Sequence, residues 1–163
     1  IADGVFVAGH QATAEMVTHV AHYQGQFAVR IALGDLVRPD LRAIPRAVYT
    51  DPEVADVGLQ LEAAVAAGHD AFEETIDLAA TAMGVAFEAT GHATIVVDRA
   101  TRRLLGAFIA GPAAAEAIHE AVLAIRAGIT LDVLSDTVTA FPATAPVMAG
   151  QFQNTCSKMD EGA

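Results

Sequence analysis

The sequence contains no tryptophan, a single cysteine (Cys156), and only 9 Lys and Arg residues against 20 Asp and Glu residues. One cysteine excludes an intrachain disulfide and any metal site built on a cysteine pair. The formal net charge of −11 argues against a nucleic-acid partner, because neutralising phosphates requires clustered basic side chains. Arg102 and Arg103 form the only adjacent basic pair, so we expect no nucleic acid to bind.

Long apolar runs are absent as well. Charged or polar residues interrupt each run before it reaches the roughly 18 residues needed to cross a bilayer. The first residues have neither a basic start nor a cleavage-type site of small residues. We therefore expect no signal peptide, no membrane partner and a cytoplasmic location.

Phosphate-binding loops are also missing, since the sequence contains no Gly-x-Gly triplet. Neither the dinucleotide-binding turn nor the phosphate loop of nucleotide hydrolases can be built without such closely spaced glycines. A redox-active cysteine pair is excluded because Cys156 is alone. We therefore expect the isolated chain not to be a catalyst.

Apolar residues, in contrast, are abundant. They make up 53% of the 163 residues, charged residues make up only 18%, and the mean hydropathy is +0.41. This length supports one solid core and a second small piece. The composition favours a surface covered by a partner subunit or by further domains. The alternative is a small stand-alone binding domain with an acidic surface.

The N-terminal part predicts one strand and one helix. Residues 3–9 read as a short buried strand, and apolar residues recur at helical spacing over about 12–33, with Thr13 as a candidate cap. Gly25 lies inside this helix, where glycine is costly, and predicts a close packing contact. Two prolines and mixed charges in 36–45 predict a linker.

The remainder alternates strand and helix patterns. Thr50-Asp51-Pro52 predicts a tight corner between two strands, because proline fixes its own φ and restricts the residue before it. A polar turn at 99–102 predicts a β-hairpin. The predicted strands are 46–50, 54–59, 70–79 (where a helix is also possible), His92–Asp98 and Arg103–Ala110.

Four helical segments follow from the same patterns. The strongest opens at Gly111–Pro112 and ends at Gly128, with Glu116 in its first turn and Arg126 in its last. The others are predicted at 60–67, from Thr130 onward, and near 147–152, with a frayed tail after them. The order of elements predicts an α+β fold, an antiparallel sheet with helices packed on one face.

Two histidine groups were weighed as sites. Glu15, His19 and His22 lie one turn apart on one helix face, a spacing that can hold a cation. The alternative is that the histidines only pack against neighbouring structure, and we predict no metal site. His119 and Glu120 are adjacent on a helix and point about 100° apart, so they are not expected to form an acid–base pair.

Three segments carry a resemblance to a known family. VYTDPEVADVGL at 48–59 and LLGAFIAG at 104–111, followed by Glu116, resemble the C-terminal dimerisation domain of the pyridine-nucleotide disulfide oxidoreductases. This family includes glutathione reductase, lipoamide dehydrogenase and mercuric reductase. GVFVAGHQATAEM at 4–16 is similar to the segment that ends its FAD-binding domain.

The resemblance implies four parts: a C-terminal remnant of the FAD domain at 1–35, the linker at 36–45, a dimerisation domain at 46–155 and a flexible tail at 156–163. It also implies that the chain is part of a longer enzyme that uses FAD and NAD(P)H in cell redox homeostasis. The partner is then a second copy, paired in a two-fold homodimer. The helix over 112–128 and the segment after Phe141 are expected to form the interface.

The family pattern also assigns flavin-facing positions. His10 occupies the place of the Asp that binds the FAD ribitol, and an imidazole cannot offer the same two acceptor oxygens. Met16, Val17 and Thr18 match positions whose backbone faces the flavin at the start of a helix. The alternative at these positions is a helix start with no ligand.

The family's acid–base pair is not retained. Phe141 and Pro146 occupy the positions of its His and Glu, and neither side chain can transfer a proton. The resemblance therefore implies no catalytic residue in this chain. Mercuric reductase-like members also carry Phe-Pro here, but they follow it with Tyr, where this chain has Ala143. They also end in a cysteine pair, whereas Cys156 is single, so an incidental thiol is favoured over a metal relay.

Overall fold

The computed structural model describes residues 4–13, 16–141 and 148–161. The chain divides into two compact units, Ile1–Leu41 and Arg42–Ala163. Among the described residues, no helix combines the length and the apolar character that a membrane crossing requires.

The first unit contains helix α1, Thr18–Ala32. The helix begins about six residues later than predicted, and Thr13 does not cap it. A turn in which the Ala12 N–H donates to the Gly9 carbonyl (2.8 Å) precedes it, and Val17 is extended, with φ −120° and ψ 142°. The predicted packing contact at Gly25 is also wrong, since a Cβ there would meet open space.

The strand predicted at 3–9 is absent from its described part, residues 4–9. A β-strand is defined by its hydrogen bonds to a neighbouring strand. The described residues of the first unit contain no other strand with which residues 4–9 could pair. The apolar residues are present, but the ladder that would make them a strand is not.

A five-stranded sheet forms the centre of the second unit. Its strands are β1 (Arg46–Val48), β2 (Val54–Gly58), β3 (Ala71–Asp77), β4 (His92–Asp98) and β5 (Arg103–Ala110). The spatial order is β1-β2-β5-β4-β3, and all neighbours are antiparallel. The five strands predicted for the second unit, the corner at Thr50-Asp51-Pro52 and the hairpin turn are confirmed, although β1, β2 and β3 are shorter than predicted.

Five helices accompany this sheet in the described residues of the second unit. They are α2 (Leu61–Ala66), α3 (Ala82–Phe87), α4 (Ala114–Ala127), α5 (Leu131–Asp136) and α6 (Ala149–Glu161). Helix α4 lies on β5, β2 and β1, while α6 contacts α5 and β3. Alternate strand residues such as Ile95, Val97, Ala107 and Ile109 are buried in one core with α4, α5 and α6. The α+β class with helices on one face is confirmed.

Two features of the second unit differ from the sequence prediction. A 3₁₀ turn (Leu78–Ala80) replaces the last two residues of the strand predicted at 70–79, and α3 follows it before β4, where the sequence predicts no element. Thr81 caps α3 by accepting the Gly84 N–H at 3.0 Å. Helix α6 continues to Glu161, so residues 156–161 are helical rather than a frayed tail. Contacts with the rest of the unit hold this end, as described below.

The hairpin turn is organised by Asp98, which is only 5% exposed. Its carboxylate accepts hydrogen bonds from His69 Nδ1 (3.1 Å), the Ala100 N–H (3.0 Å) and Thr101 Oγ1 (3.1 Å). Burial raises the pKa of Asp98, but the hydrogen bonds outweigh it and leave the pKa below its usual value. The charged form of Asp98 therefore stabilises the folded state.

Replacing Asp98 with Asn is expected to lower the free energy of unfolding at pH 7 by about 1–3 kcal/mol. Because the folded pKa is depressed, the contribution is present above the unfolded pKa of about 3.9 and is lost as the pH falls through the folded pKa. Urea unfolding at pH 7 and at pH 3 should show the difference between wild type and variant shrinking in acid. The matched change Asp136→Asn, at an exposed carboxylate, should alter stability by less than about 0.5 kcal/mol. A constant difference at both pH values would contradict this role.

Candidate functional site

Helix α4 is joined to the corner between β1 and β2 by one residue, Glu53. The Glu53 carbonyl accepts the Gly111 N–H at 2.9 Å, and its carboxylate accepts the Ala115 N–H at 3.1 Å. Ala113, which precedes the helix, has φ +56° and offers no side-chain cap. Glu53 supplies the missing acceptor and an anion at the positive end of the helix dipole. The corner thus fixes where α4 begins.

The two faces of α4 differ in composition. The inner face consists of small or β-branched residues buried against the sheet: Ala114, Ala117, Ile118, Ala121 and Ala124. The outer face carries Glu116, Glu120, Leu123 and Ala127, at spacings of four, three and four residues. We call these four residues the α4 stripe. Leu123 is 63% exposed, and this spacing is typical of a seam between two packed helices.

Glu120 lies in the middle of the α4 stripe and is half-buried. Its Oε2 atom is fully buried and has no hydrogen-bond partner. Burial raises the pKa of the Glu120 carboxyl, because the charged form loses its hydration. His119 is exposed, and the prediction that it does not form an acid–base pair with Glu120 stays a prediction. The unpartnered oxygen could not be found from the sequence.

The described part of the segment that follows α5 ends at Phe141, which is 82% exposed. An open cleft beside it is lined by Pro52, Leu78, Phe87 and Gln151, among others. The Gln151 amide donates to the carbonyl of Glu74 and to that of Ala93, which ties α6 to β3 and β4. Pro146 and Ala143 lie outside the described residues, so the predicted absence of a catalytic pair at 141 and 146 stays a prediction.

Cys156 is buried, 9% exposed, rather than placed in a flexible tail. Arg102 Nη2 donates to its Sγ at 2.9 Å, and the same guanidinium pairs with Asp132 of α5 and Asp160 of α6. Arg102 thus links the hairpin turn to both helices and holds the end of α6 in place.

The predicted flavin-facing residues lie in the first unit. His10 is exposed, Met16 is 72% exposed, and Val17 caps α1 without a side-chain hydrogen bond. The Gly9 N–H donates to Gln24 Oε1 at 2.9 Å, and Gly9 has φ +95°, so the turn before α1 folds back along the helix. The start of α1, at Thr18, therefore presents backbone N–H groups without a side-chain cap.

His22, one of the residues whose spacing could hold a cation, contacts a glutamine side chain on α1. His22 Nε2 lies 3.0 Å from Gln26 Nε2, one turn along the helix. Glu15 lies outside the described residues. Among the residues the structure does describe, no group of three His, Cys, Asp or Glu side chains is placed to hold a metal ion.

Comparisons with known proteins identify the second unit. Residues 44–151 match the family model of the pyridine nucleotide-disulphide oxidoreductase dimerisation domain. Dihydrolipoyl dehydrogenase of Halobacterium salinarum is 35% identical over 144 residues, 86% of this chain and 30% of that protein. Mercuric reductase of Staphylococcus aureus is 33% identical over 135 residues, 82% of this chain and 25% of that protein.

Solved structures agree with this result. The crystal structure of LpdA from Mycobacterium tuberculosis superposes with a TM-score of 0.87 at 27% identity, over 95% of this chain and 34% of that one. The chain spans about 30% of the length of the first curated relatives that it matches. The family resemblance and the fold predicted from the sequence are confirmed. The chain belongs to the dimerisation-domain family of the pyridine nucleotide-disulphide oxidoreductases.

Proposed function

We propose that this chain is the homodimerisation domain of an FAD-dependent NAD(P)H oxidoreductase, preceded by a remnant of the FAD domain, and that the chain alone is not catalytic. The observation that carries the proposal is the match over 44–151, which spans the five-stranded sheet and helices α2 to α5. The named relatives are a dehydrogenase and a reductase of which the matched segments make up 30% and 25%. The rest of such an enzyme would supply the reactive groups.

The interface we propose is the α4 stripe together with the segment that begins at Phe141. An isologous two-fold contact brings the same surface of both copies together, so residue i of one copy contacts residue j of the other and the reverse, and only residues at the axis face their own symmetry mates. Leu123 supplies the exposed apolar centre of the stripe. Phe141, also largely exposed, supplies an aromatic side chain of the kind enriched in interfaces.

The FAD contacts of the parent enzyme fit the first unit only in part. The uncapped start of α1, formed by Met16, Val17 and Thr18, offers backbone N–H groups and the positive end of a helix dipole. His10 does not fit, because an imidazole lacks the carboxylate oxygens that the family uses to hold sugar hydroxyls. FAD would supply the electron transfer of the longer enzyme, and this chain would contribute backbone contacts to it.

The proposal also assigns no proton transfer to this chain. The phenyl ring of Phe141 and the pyrrolidine ring of Pro146 have no titratable group, so neither can replace the family's acid–base pair. Electron transfer in the parent would then have to work without a proton donor from this segment. A flavin-dependent reductase with an acceptor other than a disulfide substrate is consistent with that pattern.

Sedimentation velocity on the 163-residue chain at about 50 μM tests the dimer directly. We expect a two-fold dimer, and we expect Leu123→Glu to weaken it by about 30-fold or more, because each copy places a buried charge at the centre of the interface. Leu123 is exposed in the single chain, so the variant should keep the wild-type circular dichroism spectrum.

The matched control is Val65→Glu, an apolar residue that is 55% exposed on α2, away from the α4 stripe. It should leave the dimer intact. A wild-type chain that sediments as a monomer at this concentration would favour the alternative of a stand-alone binding domain. Equal weakening by both variants would show that the α4 stripe is not the interface.

A further inference from the structure

The unpartnered carboxyl of Glu120 suggests regulation of the proposed dimer. Helix α4 packs against β5, β2 and β1, whose only charged side chains are Arg103, Asp56 and Arg46. Arg46 and Asp56 form an ion pair with each other, and Arg103 lies beside Gly128 at the end of α4. None of the three serves as a partner for the buried Oε2 of Glu120.

The other charged or titratable residues on α4 do not place a cation beside the Glu120 carboxyl either. Glu116 is one turn before Glu120 and has the same charge, so it disfavours ionisation of Glu120. His119 points about 100° away, and Arg126 lies almost two turns further along the helix. Glu120 is therefore a half-buried carboxyl for whose Oε2 atom the described residues supply no hydrogen-bond partner, placed at the centre of the surface that the dimer would bury.

We propose that dimerisation of this chain is coupled to protonation of Glu120, so that the dimer is the protonated form and raising the pH dissociates it. This inference rests on the proposed function, because it assumes that the α4 stripes of two copies meet. We place the two-fold axis of the proposed dimer near Glu120 and Leu123, which brings together two carboxyls that each have an unpartnered Oε2 atom. Neutral carboxyls can share a hydrogen bond there, whereas two carboxylates repel each other and lose hydration.

The sign of the effect follows from linkage. Burial raises the pKa of Glu120 in the single chain, and further burial beside its symmetry mate raises it again in the dimer. The dimer therefore binds more protons than two separate chains. Its affinity is highest below the pKa of the single chain, falls as the pH rises between the two values, and levels off above the dimer value.

The test is the dimer dissociation constant by sedimentation equilibrium between pH 5.5 and pH 8, in about 0.3 M NaCl to screen the general repulsion between acidic surfaces. For the wild-type chain we expect the constant to rise about 10- to 100-fold over this range, since one unit of pKa shift in each copy contributes ten-fold per copy. Glu120→Gln, an isosteric mimic of the protonated carboxyl, should remain dimeric and vary less than about three-fold.

Two controls separate Glu120 from other titrating groups. Glu62→Gln removes one exposed carboxylate from α2 and the same amount of net charge, and it should keep the wild-type pH dependence. His119→Gln removes the neighbouring imidazole and should also keep it. A urea unfolding curve at each pH establishes that the variants are folded throughout.

The outcomes distinguish the two proposals. A wild-type dimer whose affinity is independent of pH, or rises with pH, overturns the protonation linkage and leaves the dimerisation proposal standing. A pH dependence that survives in Glu120→Gln, or disappears in His119→Gln, also overturns the linkage. A chain that is monomeric at every pH overturns the proposed function and this inference with it.

Discussion

Replacing Phe152 with alanine is expected to lower the free energy of unfolding by about 3–5 kcal/mol. Phe152 is 0% exposed and belongs to the single hydrophobic core, which it enters from α6. Alanine would leave a cavity between α6 and the sheet, because the surrounding strands are fixed by their ladder and cannot collapse onto it. Guanidinium unfolding monitored by circular dichroism measures the change.

The matched control for Phe152 is Phe87→Ala. Phe87 lies on α3 and is 71% exposed, so removing its ring should change stability by less than about 1 kcal/mol. A similar small loss for Phe152→Ala would contradict the position of α6, since a helix docked on the sheet only through its polar contacts would not depend on this ring.

The hairpin shows what could be predicted from the sequence. The bounds of β4 and β5 were predicted correctly, His92–Asp98 and Arg103–Ala110. Both strands are nearly continuous runs of β-branched and apolar residues, and the polar turn between them contains no competing helical pattern. Local sequence was sufficient because both the strands and the turn are determined by adjacent residues.

Helix α6 shows what could not be predicted. Its second half is polar, so the apolar spacing stops near Phe152 and the pattern indicates a frayed end. The helix continues because Arg102 holds Asp160 and Cys156, and Lys158 pairs with Glu74 at 2.9 Å. These partners are separated by more than 50 residues in the chain, so no local pattern contains them.

The candidate site also has features that the sequence could predict and features that it could not. The α4 helix and its end at Gly128 follow from the sequence, although the helix begins at Ala114 rather than at Gly111–Pro112. The anchoring of its first turn by Glu53 and the unpartnered oxygen of Glu120 depend on which side chains come together in three dimensions. Sequence could predict which surface α4 presents, but not that a carboxyl without a partner lies at its centre.

Replacing Gly106 with alanine is expected to destabilise the second unit by about 3 kcal/mol or more, the largest steric effect we predict for a single methyl group. Gly106 lies in β5, opposite Gly58 of β2. A Cβ at position 106 would lie 2.1 Å from the carbonyl oxygen of Leu59 and 3.0 Å from its carbonyl carbon and its nitrogen. All three are backbone atoms, and the Leu59 N–H donates to the Leu105 carbonyl at 2.9 Å, so the chain cannot retreat without breaking the ladder.

The intrinsic conformational preferences of glycine and alanine predict that Gly106→Ala stabilises the second unit, whereas the steric contacts predict that it destabilises it. The sign of the measured stability change therefore decides between the two. Glycine inside a strand costs about 0.5–1 kcal/mol relative to alanine, so an unhindered Gly106 would gain stability from the added methyl group. Gly150, where a Cβ meets nothing within 4 Å and the backbone is helical, provides that unhindered case, and Gly150→Ala should stabilise by about 0.5–1 kcal/mol. Chemical unfolding of both variants should therefore give shifts of opposite sign. Because α4 lies across β5 and β2, the strands that Gly106→Ala separates, this variant should also weaken the dimer, whereas Gly150→Ala should not. Stabilisation by both substitutions would mean that β2 and β5 do not approach each other as closely as the structure places them.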